Sequence, residues 1–147
     1  MQLLFGFLLF VASFSKAEYF KIIAGSEASA MTALQSKIEK GLNGAEKDAY
    51  TGALKMKQAE TQKTPKEKLG FFKEGKTLLE SAIATNPKNA EYRFLRIMIQ
   101  ENAPKILKYH HNLKEDGIFV KEHYLSLSSE IKNAVIAYSK TSNNLKL

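Results

Sequence analysis

The segment TPKEKLGFFKEGKTLLESAIATNPKNAEYRFLRIMIQEN, residues 64–102, contains the clearest signals in the chain for where helices begin and end. Thr64 and Glu67 form a capping box, with proline at the first helical position between them, so a helix is predicted to open there. That helix is predicted to end before Pro87, because the residue that precedes a proline is pushed out of the helical region. Asn89 then caps a second helix, which reaches about residue 102. Two consecutive helices joined by a short turn are therefore predicted at the centre of the chain.

Similar signals predict helices in the rest of the chain, whereas β-branched residues do not alternate with polar ones over any useful length. Apolar residues recur at helical spacing, and small polar residues stand where helices begin. The tail from Thr141 is predicted to be frayed. We therefore predict an all-α fold, an antiparallel array of about six to seven helices, whose further members cover about 26–40, 45–61, 112–125 and 128–140.

The N-terminal residues differ in composition from all that follow. Leu3 to Phe14 is a continuous apolar run, shorter than the roughly 20 residues of a membrane-spanning helix. Small residues at Ser15 and Ala17 are typical of a cleavage site, so residues 1–17 are predicted to be a signal peptide and 18–147 a single helical domain. The expected location is periplasmic or extracellular, with no stable membrane span after cleavage. The alternative is that the apolar run stays attached as an N-terminal anchor.

Composition excludes several classes of protein. With 44% hydrophobic and 25% charged residues, the chain is neither disordered nor fibrous. The absence of cysteine excludes disulfides and thiolate metal sites. The net charge of +7 comes almost wholly from lysine, since only two of the 22 basic residues are arginine. Lysine without interleaved arginine is a weak signature of nucleic-acid binding, so no nucleic-acid partner is predicted and the lysines are interpreted as solvated helix faces.

The centre of the chain resembles a tetratricopeptide repeat. The spacing Gly75-x3-Leu79-x2-Ala82-x4-Pro87 is similar to that of the second helix of such a repeat, and it covers about a quarter of the chain together with the following junction. The resemblance implies an α-α superhelix in the middle of the array, with a concave groove that receives a peptide. The whole chain also resembles small, secreted, uncharacterised bacterial proteins.

A polar strip on the helix after Asn89 is the candidate binding site. At 100° per residue Arg93, Arg96 and Gln100 lie on one narrow strip of an otherwise apolar helix. By the resemblance, this strip faces the groove and holds an anionic group such as a peptide carboxylate, and Tyr109 is added to the predicted site. The alternative is that the arginines pair within the protein, with candidate partners Glu101, Glu115 and Asp116.

Two hypotheses for function remain open. The first is a non-enzymatic, exported interaction module that binds a protein or peptide segment. The second is a small enzyme or a binder of an anionic small ligand, with a pocket over Arg93, Arg96 and Tyr109. No catalytic motif is present, no cofactor is predicted, and His110, His111 and His123 lack the spacing of a metal site. The oligomeric state is left open by the sequence.

Overall fold

The computed structural model describes residues 13–147, and the all-α prediction is confirmed for them. Within this range there are seven α-helices and no strand, and three short 310 turns cover 59–61, 105–107 and 124–126. Residues 1–12, most of the predicted signal peptide, lie outside the described residues. The helices are α1 Lys16–Ala24, α2 Ala28–Gly41, α3 Gly44–Gln58, α4 Pro65–Thr85, α5 Ala90–Asn102, α6 Leu113–Glu122 and α7 Ser129–Ser139.

Local capping explains where the central helices begin. The capping box predicted before α4 is formed in both directions, with the Thr64 hydroxyl bound to the Glu67 amide and the Glu67 carboxylate bound to the Thr64 amide. Asn89 caps α5 through the amide of Tyr92. The pattern Asn112-x-x-Glu115 at the start of the predicted helix 112–125 also predicts a capping box. That prediction is wrong, because the Asn112 side chain accepts a hydrogen bond from Gln100 instead of capping α6. The bounds predicted for α4 and α5 match the structure.

The most extensive contact between two helices of the described chain joins α3 and α4, which approach backbone to backbone at two glycines. A Cβ added to Gly52 would stand 2.6 Å from the carbonyl oxygen of Gly75 and 2.6 Å from the amide nitrogen of Leu79. A Cβ on Gly75 would in turn collide with the Gly52 carbonyl. Leu79 and Ala82 continue this contact into the core, where both are fully buried. The small residues therefore set the distance between the two helices.

The chain before Ser26, where the first helix was predicted to start, already contributes a helix to the core. In α1 the side chains of Tyr19, Phe20 and Ile23 are buried, and the Phe20 ring stacks on Phe94 of α5 at 5.2 Å between ring centres. Sequence reasoning missed this helix because it adjoins the apolar run assigned to a signal peptide. The part of that predicted peptide that the structure describes, residues 13–17, leads into α1.

The prediction of a frayed C-terminal tail is wrong. Leu145 is fully buried, and the tail is held by hydrogen bonds to the carboxylate of Glu101, near the end of α5. The carboxylate accepts hydrogen bonds from Tyr138 Oη at 2.6 Å, Ser142 Oγ at 2.8 Å and Asn144 N at 2.9 Å. Burial by itself would raise the pKa of Glu101, but these hydrogen bonds outweigh it and lower that pKa below its ordinary value.

Candidate functional site

The centre of the polar strip on α5 is a buried ion pair with α6. Arg96 donates from Nε to Asp116 Oδ2 at 2.6 Å and from Nη2 to Asp116 Oδ1 at 2.8 Å, a two-pronged arrangement that matches the planar guanidinium. The Asp116 side chain is fully buried, and that of Arg96 is 6% exposed. A charge so deeply buried requires an opposite charge beside it, and here Arg96 and Asp116 neutralise each other.

Helix α4 adds a second carboxylate to the same arginine. Arg96 Nη1 lies 2.9 Å from Glu80 Oε2, and the Tyr109 hydroxyl donates to Glu80 Oε1 at 2.6 Å. Burial alone would lower the pKa of Arg96, but the hydrogen bond to Asp116 and the charges of Asp116 and Glu80 raise it above its ordinary value. Burial and the bond to Glu80 raise the pKa of Tyr109 as well. The guanidinium and the phenol therefore stay protonated at any physiological pH.

Arg93 lies at the more open edge of this network. Its Nη1 is 3.1 Å from Asp116 Oδ1 and 3.1 Å from Glu115 Oε1, while Nε and Nη2 donate to the carbonyl oxygen of Pro87. The guanidinium carbon lies 4.2 Å from the centre of the Phe119 ring, a cation–π distance. Every nitrogen of this guanidinium thus has an acceptor within the protein.

The four residues predicted for the site lie in one region, and their partners come from α4, from α6 and from the turns that precede α5 and α6. Gln100 donates to Asn112 Oδ1 at 3.0 Å, one turn along α5 from Arg96. Of the candidate internal partners, Glu115 and Asp116 bind the arginines, whereas Glu101 binds the C-terminal tail. Sequence reasoning missed Glu80, which no local signal marks, because it reaches the strip only through the crossing of α4 and α5. An anionic ligand at Arg96 would have to displace Asp116.

A separate feature, which we call the apolar groove, opens beside the first half of α4. Its volume is about 910 Å³, near the upper end of the ~300–1,000 Å³ range of ligand pockets. Arg93, Arg96, Gln100 and Tyr109 are not among the residues that line it. Helices α1, α3, α4, α5 and α7 all contribute, and the main apolar contributors are Ile23, Met56, Leu69, Phe72, Met98, Ile99, Ile106 and Leu107.

Two large apolar side chains of the groove face solvent. Ile106, in the 310 turn after α5, is 87% exposed, and Leu69 on α4 is 41% exposed. Lysines stand beside them: Lys68 lines the groove, and Lys66 and Lys105 are exposed next to lining residues in the chain. Lys57 also lines the groove but is bound to Glu60 at 2.8 Å. Glu60 lines the groove as well, so Lys57 and Glu60 balance each other, and Lys68 is the lining charge left without an ion-pair partner among the described residues.

Among residues 13–147, no helix is long and apolar enough to cross a membrane. The same residues contain no group of three His, Asp or Glu side chains that could hold a metal ion. Comparisons of the chain with protein-family models, curated proteins and solved structures gave no match. The tetratricopeptide resemblance thus stays a prediction, and function has to be argued from the two sites.

Proposed function

We propose that this protein is a non-enzymatic interaction module, exported from the cytoplasm, whose apolar groove binds an acidic, amphipathic peptide segment of another protein. The observation that carries the proposal is the groove itself, with Ile106 almost fully exposed at its edge. Clustered apolar side chains that face water mark binding surfaces in soluble proteins. Burying them against a partner recovers about 25 cal/mol per Å² of apolar surface.

A peptide suits this surface better than a small molecule. The Ile106 side chain stands at the edge of the groove, not in its depth, so only a partner that extends beyond the groove covers it. A helix that lays one apolar face into the groove does so, with anchors at i, i+3 or i+4, and i+7. The packed α3 and α4 pair behind the groove supplies a rigid wall, as in the helical arrays that the central sequence resembles.

The sign of the partner's charge follows from the edge of the groove. Lys68 lines the groove, Lys66 and Lys105 adjoin lining residues in the chain, and among the described residues no carboxylate forms an ion pair with any of the three. Acidic residues on the polar face of a bound helix would meet these lysines. The overall charge of +7 would also speed the approach of an acidic partner at low salt.

The site is placed at the groove and not over the arginine strip, because Arg93 and Arg96 already have carboxylate partners. An incoming anion at Arg96 would leave the fully buried Asp116 without its partner, at a cost of several kcal/mol. Binding in the groove breaks no ion pair of this kind. Its lining side chains lose only water when a partner binds.

The binding test uses two helical peptides of 18 residues that share one leucine face and carry either glutamate or lysine on the other. Fluorescence anisotropy is measured for each labelled peptide against the protein. We expect the glutamate peptide to bind at least about tenfold more tightly, with affinity that falls as salt is added. Equal affinity of the two peptides, or no binding of either, would contradict the proposal.

A matched pair of variants locates the site. Ile106→Asp places a charge in the groove, whereas Leu125→Asp makes the same change at an 83% exposed position in another 310 turn, outside the groove. We expect Ile106→Asp to weaken the glutamate peptide at least about tenfold and Leu125→Asp to leave its affinity unchanged. Equal effects of the two variants would show that the peptide binds elsewhere.

A further inference from the structure

The residues just before α1 are built into the fold, although the sequence places them in a signal peptide. The Ser15 hydroxyl caps α1 by accepting from the Glu18 amide at 3.3 Å, and the Ser15 carbonyl accepts from the Tyr19 amide at 3.0 Å. Cleavage after Ala17 would remove the cap and the first two helical residues. It would also place a positively charged amino group at the start of the remaining helix, where the helix dipole disfavours positive charge.

Phe14 occupies a fitted position between α2 and α3. Its ring meets Tyr50 edge-on at 5.3 Å and Tyr19 edge-on at 6.0 Å between ring centres. A Cβ added to Gly41 would stand 2.8 Å from the Phe14 Cβ, so the end of α2 has room for Phe14 only because residue 41 has no side chain. Removal of Phe14 would expose one side of an aromatic cluster that includes the fully buried Tyr19 and Tyr50.

Lys16 forms two ion pairs beside the aromatic cluster of Phe14, Tyr19 and Tyr50. Its Nζ lies 2.8 Å from Glu91 Oε1 and 2.9 Å from Glu46 Oε1, and Glu91 also accepts a hydrogen bond from the Tyr50 hydroxyl. Burial would lower the pKa of Lys16, but the two carboxylates raise it above its ordinary value. Without Lys16 the two carboxylates would face each other with no cation between them, and Glu91 is only 14% exposed.

We propose that Phe14, Ser15 and Lys16 belong to the mature domain and that the signal peptide is removed at a bond on the N-terminal side of Phe14. The last bond that meets this condition is Ser13–Phe14, and Ser13 is small, as residues at a signal-peptide cleavage site are. Cleavage after Ala17 would break a bond inside the first turn of a helix whose last residues, Ile23 and Ala24, line the apolar groove. This inference rests on the proposed export and not on peptide binding.

The direct test is the N-terminus of the exported protein. The full chain is expressed in a bacterial host, and protein recovered from outside the cytoplasm is examined by intact mass and N-terminal peptide analysis. We expect a chain that has lost Met1 and begins at or before Phe14. A chain that begins at Glu18 would overturn the inference while leaving export standing. Intact Met1 on that protein would overturn the cleavage while leaving export standing, and the absence of the protein from outside the cytoplasm would overturn both.

A stability measurement tests the physical argument independently of the host. The melting temperature of Lys16→Met in the full chain is compared with that of Lys21→Met, an exposed lysine on the same helix. We expect the melting temperature of Lys16→Met to be about 5 °C or more below that of the parent, and that of Lys21→Met to equal the parent's. Residues 18–147 alone should melt lower still or fail to fold. Equal melting of residues 18–147 and the full chain would show that residues 14–16 are dispensable.

Discussion

The two halves of α4 lie in the same helix but face different surroundings. In the second half, Gly75, Leu79 and Ala82 are buried against the rest of the protein, and Glu80 joins the Arg96 network. In the first half, Leu69 is 41% exposed and lines a groove of about 910 Å³. The difference begins within one turn of Gly75, at Phe72, which is buried but also lines the groove.

This comparison shows how the size of side chains divides one helix into a part that is packed inside the fold and a part that lines the groove. At Gly75 the backbones of α3 and α4 touch, so nothing can enter between them. One turn towards the helix start, the lining comes from the large side chains of Met56 and Phe72, and a cavity lies beside them. Substitutions in the second half should therefore cost stability, and those in the first half should cost binding.

The largest loss of stability is expected from Arg96→Met, which deprives the second half of α4 of its partner for Glu80 and leaves Asp116 buried with a weaker one. Breaking a buried pair from one side costs about 3–5 kcal/mol. Urea unfolding of the variant measures this loss. Arg93→Met is the control, and it should cost less because Asp116 keeps both bonds to Arg96. Equal, small losses in both variants would contradict the buried network.

Truncation of Leu79, which is fully buried in the second half of α4, is expected to cause the second-largest loss of stability. Leu79→Ala leaves a cavity in a well-packed site, and such changes cost about 2–5 kcal/mol. The measurement is the free energy of unfolding, together with peptide affinity at a temperature where the variant is folded. Affinity should stay within about twofold of the parent, since Leu79 does not line the groove.

Gly75→Ala should have a smaller but distinct effect. The added methyl group would collide with the Gly52 carbonyl and stand 2.8 Å from the Met56 amide nitrogen, both of them backbone atoms. Overpacking of this kind costs about 1–3 kcal/mol, since the two helices have to move apart. Gly70→Ala is the matched control on the same helix, because a Cβ there meets nothing within 4 Å. The control should be as stable as the parent or more so, since alanine favours the helix.

Leu69→Ala is expected to have the smallest effect on folding. A partly exposed side chain away from the core changes stability by about 0.5 kcal/mol or less. Peptide affinity should nevertheless fall severalfold, because Leu69 lines the groove. Thermal melts and anisotropy on the same preparation separate the two effects. A loss of stability like that of Leu79→Ala would show that the two halves of α4 do not differ.

Sequence reasoning located α4 and α5 well because their ends depend on neighbours in the chain. The Thr64 to Glu67 capping box, Pro87 and the Asn89 cap act within about four residues, so the sequence alone specifies them. Helical periodicity was likewise enough to place Arg93, Arg96 and Gln100 on one strip. Asn112 shows where such local reasoning fails, because its side chain accepts a hydrogen bond from Gln100 on another helix and does not cap α6.

What the sequence by itself determined was the class of fold, the bounds of the central helices and the grouping of the arginines. All of these follow from short-range hydrogen bonds, restricted backbone angles and the helical repeat. Only the tertiary structure decided that Asp116 and Glu80 pair with Arg96, that Phe14 packs against the core while Lys16 pairs with Glu91, and that a groove opens beside Leu69. These depend on which helices cross and at what distance. Contacts between residues 16 to 41 positions apart set that geometry, as with Arg96 and Glu80 or Tyr50 and Glu91.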